Sequence, residues 1–174
     1  MASSGGHRRV QLPKDHPAMS FQWSFAMLLR TVLLAISFAI VIPGWAQQPQ
    51  LPLLELSAGM HRIEAELAAT PESRQTGMML RTSMPSHRGM LFVFPEVAKH
   101  CMWMRNTLVP LSVAFLDDKG RILNVEDMQP KTEVNHCSVS PARYALEMNL
   151  GWFRSRGVGP GYAITGVDKV PAGR

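Results

Sequence analysis

Leu111-Ser-Val-Ala-Phe-Leu116, then Asp117-Asp118-Lys119-Gly120, then Arg121-Ile-Leu-Asn-Val125 reads as a β-hairpin: two apolar-rich runs joined by a polar turn. Gly120 offers the positive φ that such turns require. Asp117 and Asp118 are accounted for by that turn and not by acid–base chemistry. Outward from it, period-two patterning recurs. Leu53–Leu56 and Met60–Leu67 are expected strands around Ser57-Ala58-Gly59, with Ile63, Ala65 and Leu67 alternating against Arg62, Glu64 and Glu66. Thr70-Pro71-Glu72 starts a helix, with Thr70 as cap, Pro71 in the first turn and an acid at the positive end of the dipole. That helix is expected to end near Leu80.

Gly89-Met-Leu-Phe-Val-Phe94 is continuously apolar, as a central strand is. His100–Arg105, Arg143–Met148 and Tyr162–Val167 are further expected strands, the middle one preceded by a loop from Met128 to Pro141. Gly151–Arg156 is an expected helical turn ended by Gly157. Short strands, one clear helix and no βαβ rhythm imply a compact α+β domain, mainly antiparallel. There is no internal repeat.

The amino-terminal part has a different character. Leu28–Ile42 reads LLRTVLLAISFAIVI, and its uncharged apolar run from Val32 to Ile42 suits the core of an export signal but is short for a membrane span. Gly44 and Ala46 are the small residues a signal peptidase needs, so cleavage is expected after Ala46. Met19 and Met27 compete with Met1 as the start. Residues 47–52 are an expected Gln/Pro linker, and 53–174 a single domain, periplasmic or secreted, with no stable membrane span after cleavage. Residues 1–46 carry four of the 18 Lys and Arg and one of the 13 acids, leaving 14 basic and 12 acidic side chains, a formal net of +2. No basic stripe with interleaved aromatics follows Ala46, which disfavours nucleic acid as a partner.

Cys101 and Cys137 both lie after that signal, and an exported chain meets an oxidising compartment. A disulfide between them is the expectation, with two free thiols as the alternative. The closed loop would contribute about 3 to 4 kcal/mol in the chain-entropy model.

Several blocks occur in one order: Arg74-Gln-Thr-Gly77-Met78-Met79-Leu80-Arg81, Gly89-Met-Leu-Phe-Val-Phe94, Trp103-Met104-Arg105-Asn106-Thr107, Pro110–Phe115, Ala142–Asn149, Gly151-Trp152-Phe153 and Gly157-Val158. Over roughly residues 60–168 this resembles the family catalogued as domain of unknown function 192, also called uncharacterised protein family 0127. The resemblance implies a small β-rich, barrel-like domain, often exported, with no established activity. Many relatives carry a close cysteine pair before the ARYALE-like strand, where this chain has only Cys137. That departure supports the bridge to Cys101.

Candidate chemistry centres on polar residues at strand ends. Arg143, Glu147 and Asn149 share one face of their strand, opposite Tyr144, Leu146 and Met148. If that strand neighbours the Trp103 block, then Arg105, Asn106, Thr107, Arg143, Glu147 and Asn149 can line a pocket walled by Trp103, suited to a glycan-like or peptide ligand. The structural alternative is an Arg143–Glu147 cross-strand ion pair with Asn106 capping a turn. His100-Cys101-Met102-Trp103-Met104 gathers soft donors of the kind Cu(I) prefers, yet alternating apolar residues also describe any buried strand face. His61, His87, His100 and His136 fall in no zinc spacing, no GxSxG turn accompanies Ser138 or Ser140, and Gly157, Gly159 and Gly161 form no phosphate loop. The expectation is a non-catalytic exported binding module for a small polar ligand or an envelope protein, without metal or cofactor. The alternatives are an enzyme of unrecognised type using Arg105, Glu147 and Asn149, and a copper-binding protein.

Overall fold

The computed structural model describes residues 50–171. The expected export segment, its competing starts and the expected cleavage after Ala46 lie outside the described residues. Among those described, no helix is long and apolar enough to cross a membrane.

Strands β1 (Leu53–Ala58) and β2 (His61–Ala68) form the first hairpin. Helix α1 (Pro71–Thr76) follows, then β3 (Arg88–Ala98), β4 (Cys101–Met102), β5 (Leu111–Leu116), β6 (Ile122–Met128), β7 (His136–Cys137) and β8 (Ala142–Asn149). Six of these make one sheet in the order β1-β2-β3-β8-β5-β6, while β4 and β7 pair separately. The hairpin on which the sequence turns is present as β5–β6, and Gly120 does sit at φ 77°.

The domain is mostly β with little helix, as expected, but two features differ from expectation. The sheet is mixed, because β2 and β3 run parallel. Parallel neighbours need a crossover, and α1 lies in it, so a βα-type connection is present after all. The strand, helix and strand are each legible in the sequence; that β2 and β3 are parallel neighbours is not, because pairing is decided in the folded sheet. The sheet is also not closed as a barrel: β1 and β6 remain its edges. The segment from Gly161 to Thr165 reaches both edges, with one isolated bridge to each, Ser57 to Thr165 and Arg121 to Ala163, and a few backbone hydrogen bonds to Gly120 and Ile122, but it forms no continuous ladder. Tyr162–Val167 is therefore not a strand, and a 3-10 turn over Val167–Lys169 follows it.

Local chemistry explains two shortened elements. In α1, the Thr70 hydroxyl accepts from the Ser73 amide at 3.2 Å while the Ser73 hydroxyl accepts from the Thr70 amide at 2.9 Å, a reciprocal cap. Gly77 then ends the helix three residues before Leu80, whose own φ is 63°. Between His100 and Arg105 only Cys101 and Met102 are extended, because their partner strand β7 is equally short and the chain turns where the Met104 amide reaches the Thr132 carbonyl. The Cys101–Cys137 disulfide joins β4 to β7.

Both faces of the sheet are covered. Leu56, Ile63, Leu91, Val93, Leu146 and Met148 pack under Trp152, Phe153, Val158 and Ile164. On the other face Met90, Phe92, Val113, Phe115 and Ala145 pack under Met78, Met104 and Val109. This is why β3 and β5 read as unbroken apolar runs.

At the β3–β8 ladder Gly89 faces Met148, and a Cβ there would collide with the Met148 sulfur and the Glu147 carbonyl oxygen. Gly89→Ala is expected to lose about 1 to 3 kcal/mol in urea unfolding. Gly159→Ala, whose new Cβ would meet nothing within 4 Å, should stay within about 0.5 kcal/mol of the parent. Equal stabilities would refute the close β3–β8 approach. Reducing the Cys101–Cys137 bridge, which spans 36 residues, should cost about 3 kcal/mol in the same measurement.

Candidate functional site: a cavity over Glu147

A cavity of about 310 Å³ opens on the second face of the sheet. β3 contributes Phe92 and Phe94 to it, and β8 contributes Glu147. One wall is the end of α1 and its turn, from Arg74 to Met79; the other is Cys101, Met102, Trp103 and Thr107. That second wall is irregular chain, and it is held by the disulfide and by hydrogen bonds from the Met104 amide to the Thr132 carbonyl (3.0 Å) and from the Lys131 amide to the Thr107 carbonyl (3.1 Å). The Arg74 guanidinium ties α1 to the sheet by donating to the carbonyls of Ala69 (2.9 Å) and Val93 (3.0 Å).

Glu147 is the chemically unusual member. Its strand is central, so its side chain is only 3% exposed, yet it makes no hydrogen bond or ion pair with any described residue. The cation whose charge acts on it, Arg81, is bound bidentately to Glu66 at 2.5 and 2.6 Å. That hydrogen bond holds the Arg81 guanidinium above its ordinary pKa. Burial pushes the Glu147 carboxyl up to about 8, and the Arg81 charge opposes the shift only in part. At neutral pH Glu147 is therefore mostly protonated, a buried acid whose remaining neighbour is the cavity.

Of the seven residues expected to form a ligand site, Trp103, Thr107 and Glu147 do line this cavity. The other four lie outside its lining. Arg143 donates to the carbonyls of Phe94 (3.0 Å) and Pro95 (2.9 Å), where the β3–β8 register shifts. Asn149 donates to the carbonyls of Met84 (3.2 Å) and Pro85 (3.1 Å). Arg105 donates to Glu133 at 3.0 Å and sits 5.4 Å from the Trp103 ring centre. The Asn106 amide contacts the Met79 sulfur at 3.8 Å, and its carbonyl accepts from the Leu80 amide.

Arg105, Glu147 and Asn149 are thus not brought together. Nor does Arg143 pair with Glu147, although alternation does put both on one face: Ala145 lies in the second cluster and Leu146 and Met148 in the first. The soft donors are separated as well. Met104 is in the core, Cys101 is in the disulfide, and the His100 ring stacks on Phe94 at 3.7 Å. Among the described residues no group of three or more His, Cys, Asp or Glu is placed to hold a metal ion.

Sequence reasoning missed Phe92, Phe94, Met78 and Arg74 as cavity residues. The two phenylalanines share a face by alternation, but an apolar face carries no mark that distinguishes cavity from core.

The raised carboxyl of Glu147 has a consequence for stability. The folded chain keeps a proton that the unfolded chain, near the ordinary value of 4.5, gives up. This group's contribution to stability is accordingly fully present below about pH 4.5 and declines toward pH 8, at on the order of 1 kcal/mol per pH unit. Glu147→Gln should remove that component and be the more stable protein above pH 8, as read by urea unfolding across this range. A wild-type-to-variant difference that is constant with pH would contradict a buried, unpartnered acid.

Residues 54–166 match the model of the DUF192 family, described as uncharacterized ACR. The chain is similar to a solved structure of a proposed transcription regulator from Sinorhizobium meliloti 1021, with 33% identity over 70% of this chain and 98% of that one, and a TM-score of 0.66. It is also similar to a protein of unknown function from Novosphingobium aromaticivorans, with 28% identity over 66% of this chain and 85% of that one, and a TM-score of 0.63. No curated protein matches it. The family match covers nearly the whole described domain, cavity included, and on that ground the chain belongs to the DUF192 family.

Proposed function

We propose that the chain is an exported, non-catalytic binding module, and that the cavity over Glu147 holds a small glycan-like or peptide ligand. The observation that carries this reading is the buried Glu147 carboxyl, which has no hydrogen-bond or ion-pair partner among the described residues and opens onto a cavity of about 310 Å³. An unpaired acid in a core costs stability, and a ligand that satisfies it recovers that cost on binding. Trp103, 47% exposed at the rim, offers the flat amphipathic surface that sugars and peptides stack on.

Export is supported by the apolar segment with small residues at Gly44 and Ala46, and by the Cys101–Cys137 bridge, which suits an oxidising compartment. The regulator description of the Sinorhizobium protein is not carried over, since residues 47–174 have a formal net charge of only +2 and no basic stripe with interleaved aromatics.

Thermal-shift screening with mono- and disaccharides and with di- and tripeptides tests the reading, because a ligand of the native state raises its melting temperature. A positive shift that Trp103→Ala abolishes is the expected outcome. No shift from either class, or one that Trp103→Ala leaves intact, would sink the cavity as the binding site and favour an envelope protein as the partner.

A further inference from the structure

We infer that the ligand of this cavity is a small organic cation, an ammonium group on an apolar body, held by the Glu147 carboxylate and by the rings of Phe92, Phe94 and Trp103. The inference rests on the binding-module reading and narrows its ligand to an amine.

Three features point to a positive charge. Glu147 is nine-tenths or more buried and has no partner among the described residues, so a group in the cavity is what can complete it. Three aromatic rings line the same space, and the negative face of an aromatic ring attracts a cation, more so where water is excluded. Thioethers of Met78 and Met102 add soft, polarizable surface for the apolar body.

The protein's own nearby cations have other partners: Arg105, which lies 5.4 Å from the Trp103 ring centre, donates to Glu133, and an ammonium in the cavity would share that ring with it. Arg81 is held bidentately by Glu66, and Arg74, itself on the cavity wall, donates to the carbonyls of Ala69 and Val93. No other charged or titratable side chain lines the cavity beside Arg74 and Glu147, Cys101 being in the disulfide. The Arg74 charge on the far wall opposes a cation there and so favours placing the ammonium at Glu147.

A neutral hydroxyl or amide could hydrogen-bond the protonated acid. That neutral bond is about half as strong as the charge-assisted bond an ammonium would make to the carboxylate. Ionising Glu147 at pH 7, from a value of about 8, weakens amine binding by only about tenfold. The proton balance is explicit: the ammonium enters with its charge, and the carboxyl proton leaves to solvent.

Calorimetric titration of the purified chain with benzylamine and with its neutral isostere benzyl alcohol, at pH 7 in two buffers of different ionisation enthalpy, tests the inference. Benzylamine should bind at least about tenfold more tightly than the alcohol and release close to one proton. Glu147→Gln, with its fold checked by melting temperature, should lose that preference, whereas Trp103→Ala, at an exposed rim position, should weaken both probes. Equal or tighter binding of the alcohol, or amine affinity unchanged in Glu147→Gln, overturns the cation while leaving the cavity as a binding site. If neither probe binds but a sugar or neutral peptide derivative gives a Trp103-dependent thermal shift, the cation alone falls. If nothing binds at all, both readings fall together.

Discussion

Strand β8 is paired on both sides, to β3 and to β5, and its two faces are buried under different parts of the chain. A strand so placed keeps most of its side chains from bulk water, and Glu147, near its end, is only 3% exposed. The rest of the site depends on that confinement. The same hydrogen-bond ladder that stabilises the sheet forces a carboxyl into surroundings that favour its neutral form, and Arg81, the cation whose charge reaches it, is turned to Glu66. The cavity exists because α1 and the Trp103 block cover this face from two directions without meeting over Glu147.

Those two walls are held in different ways. The α1 wall is anchored by a reciprocal cap at Thr70 and Ser73 and by Arg74 reaching two backbone carbonyls, so its position is set by local hydrogen bonding together with one long side chain. The Trp103 wall has almost no regular structure. It relies on the Cys101–Cys137 bridge and a few loop hydrogen bonds to keep a half-exposed indole over the opening. Arg143 and Asn149, polar residues of β8 that look functional in the sequence, serve instead to satisfy carbonyls at the β3 irregularity and in the loop before it. Carbonyls outside the ladder need donors from solvent or side chains, and these side chains supply some of them.

What could be read ahead of the structure was what short-range chemistry dictates. Alternation located β2 and β8, the Asp-Asp-Lys-Gly turn located β5–β6, and the Thr-Pro-Glu start located α1. The pairing of Cys101 with Cys137 followed from composition and compartment. The barrel expectation failed because closure depends on whether two edge strands meet along their length, and here the Gly161–Thr165 segment joins them by isolated bridges and scattered hydrogen bonds, with no ladder between them. The strand expected over His100–Arg105 shrank to two residues because a strand's length is decided by its partner as much as by itself.

The sequence by itself determined which side chains of β8 face together, since a strand's period is two whatever surrounds it, and it determined that Glu147, Trp103 and Thr107 were available to one site. Only the tertiary structure decided that Glu147 would stand alone. Its isolation arises because Glu66, on a strand distant in sequence, takes Arg81, and because carbonyls of β3 take Arg143. Competition for a charged partner is settled by distances in the folded chain, and spacing along the sequence carries no record of it.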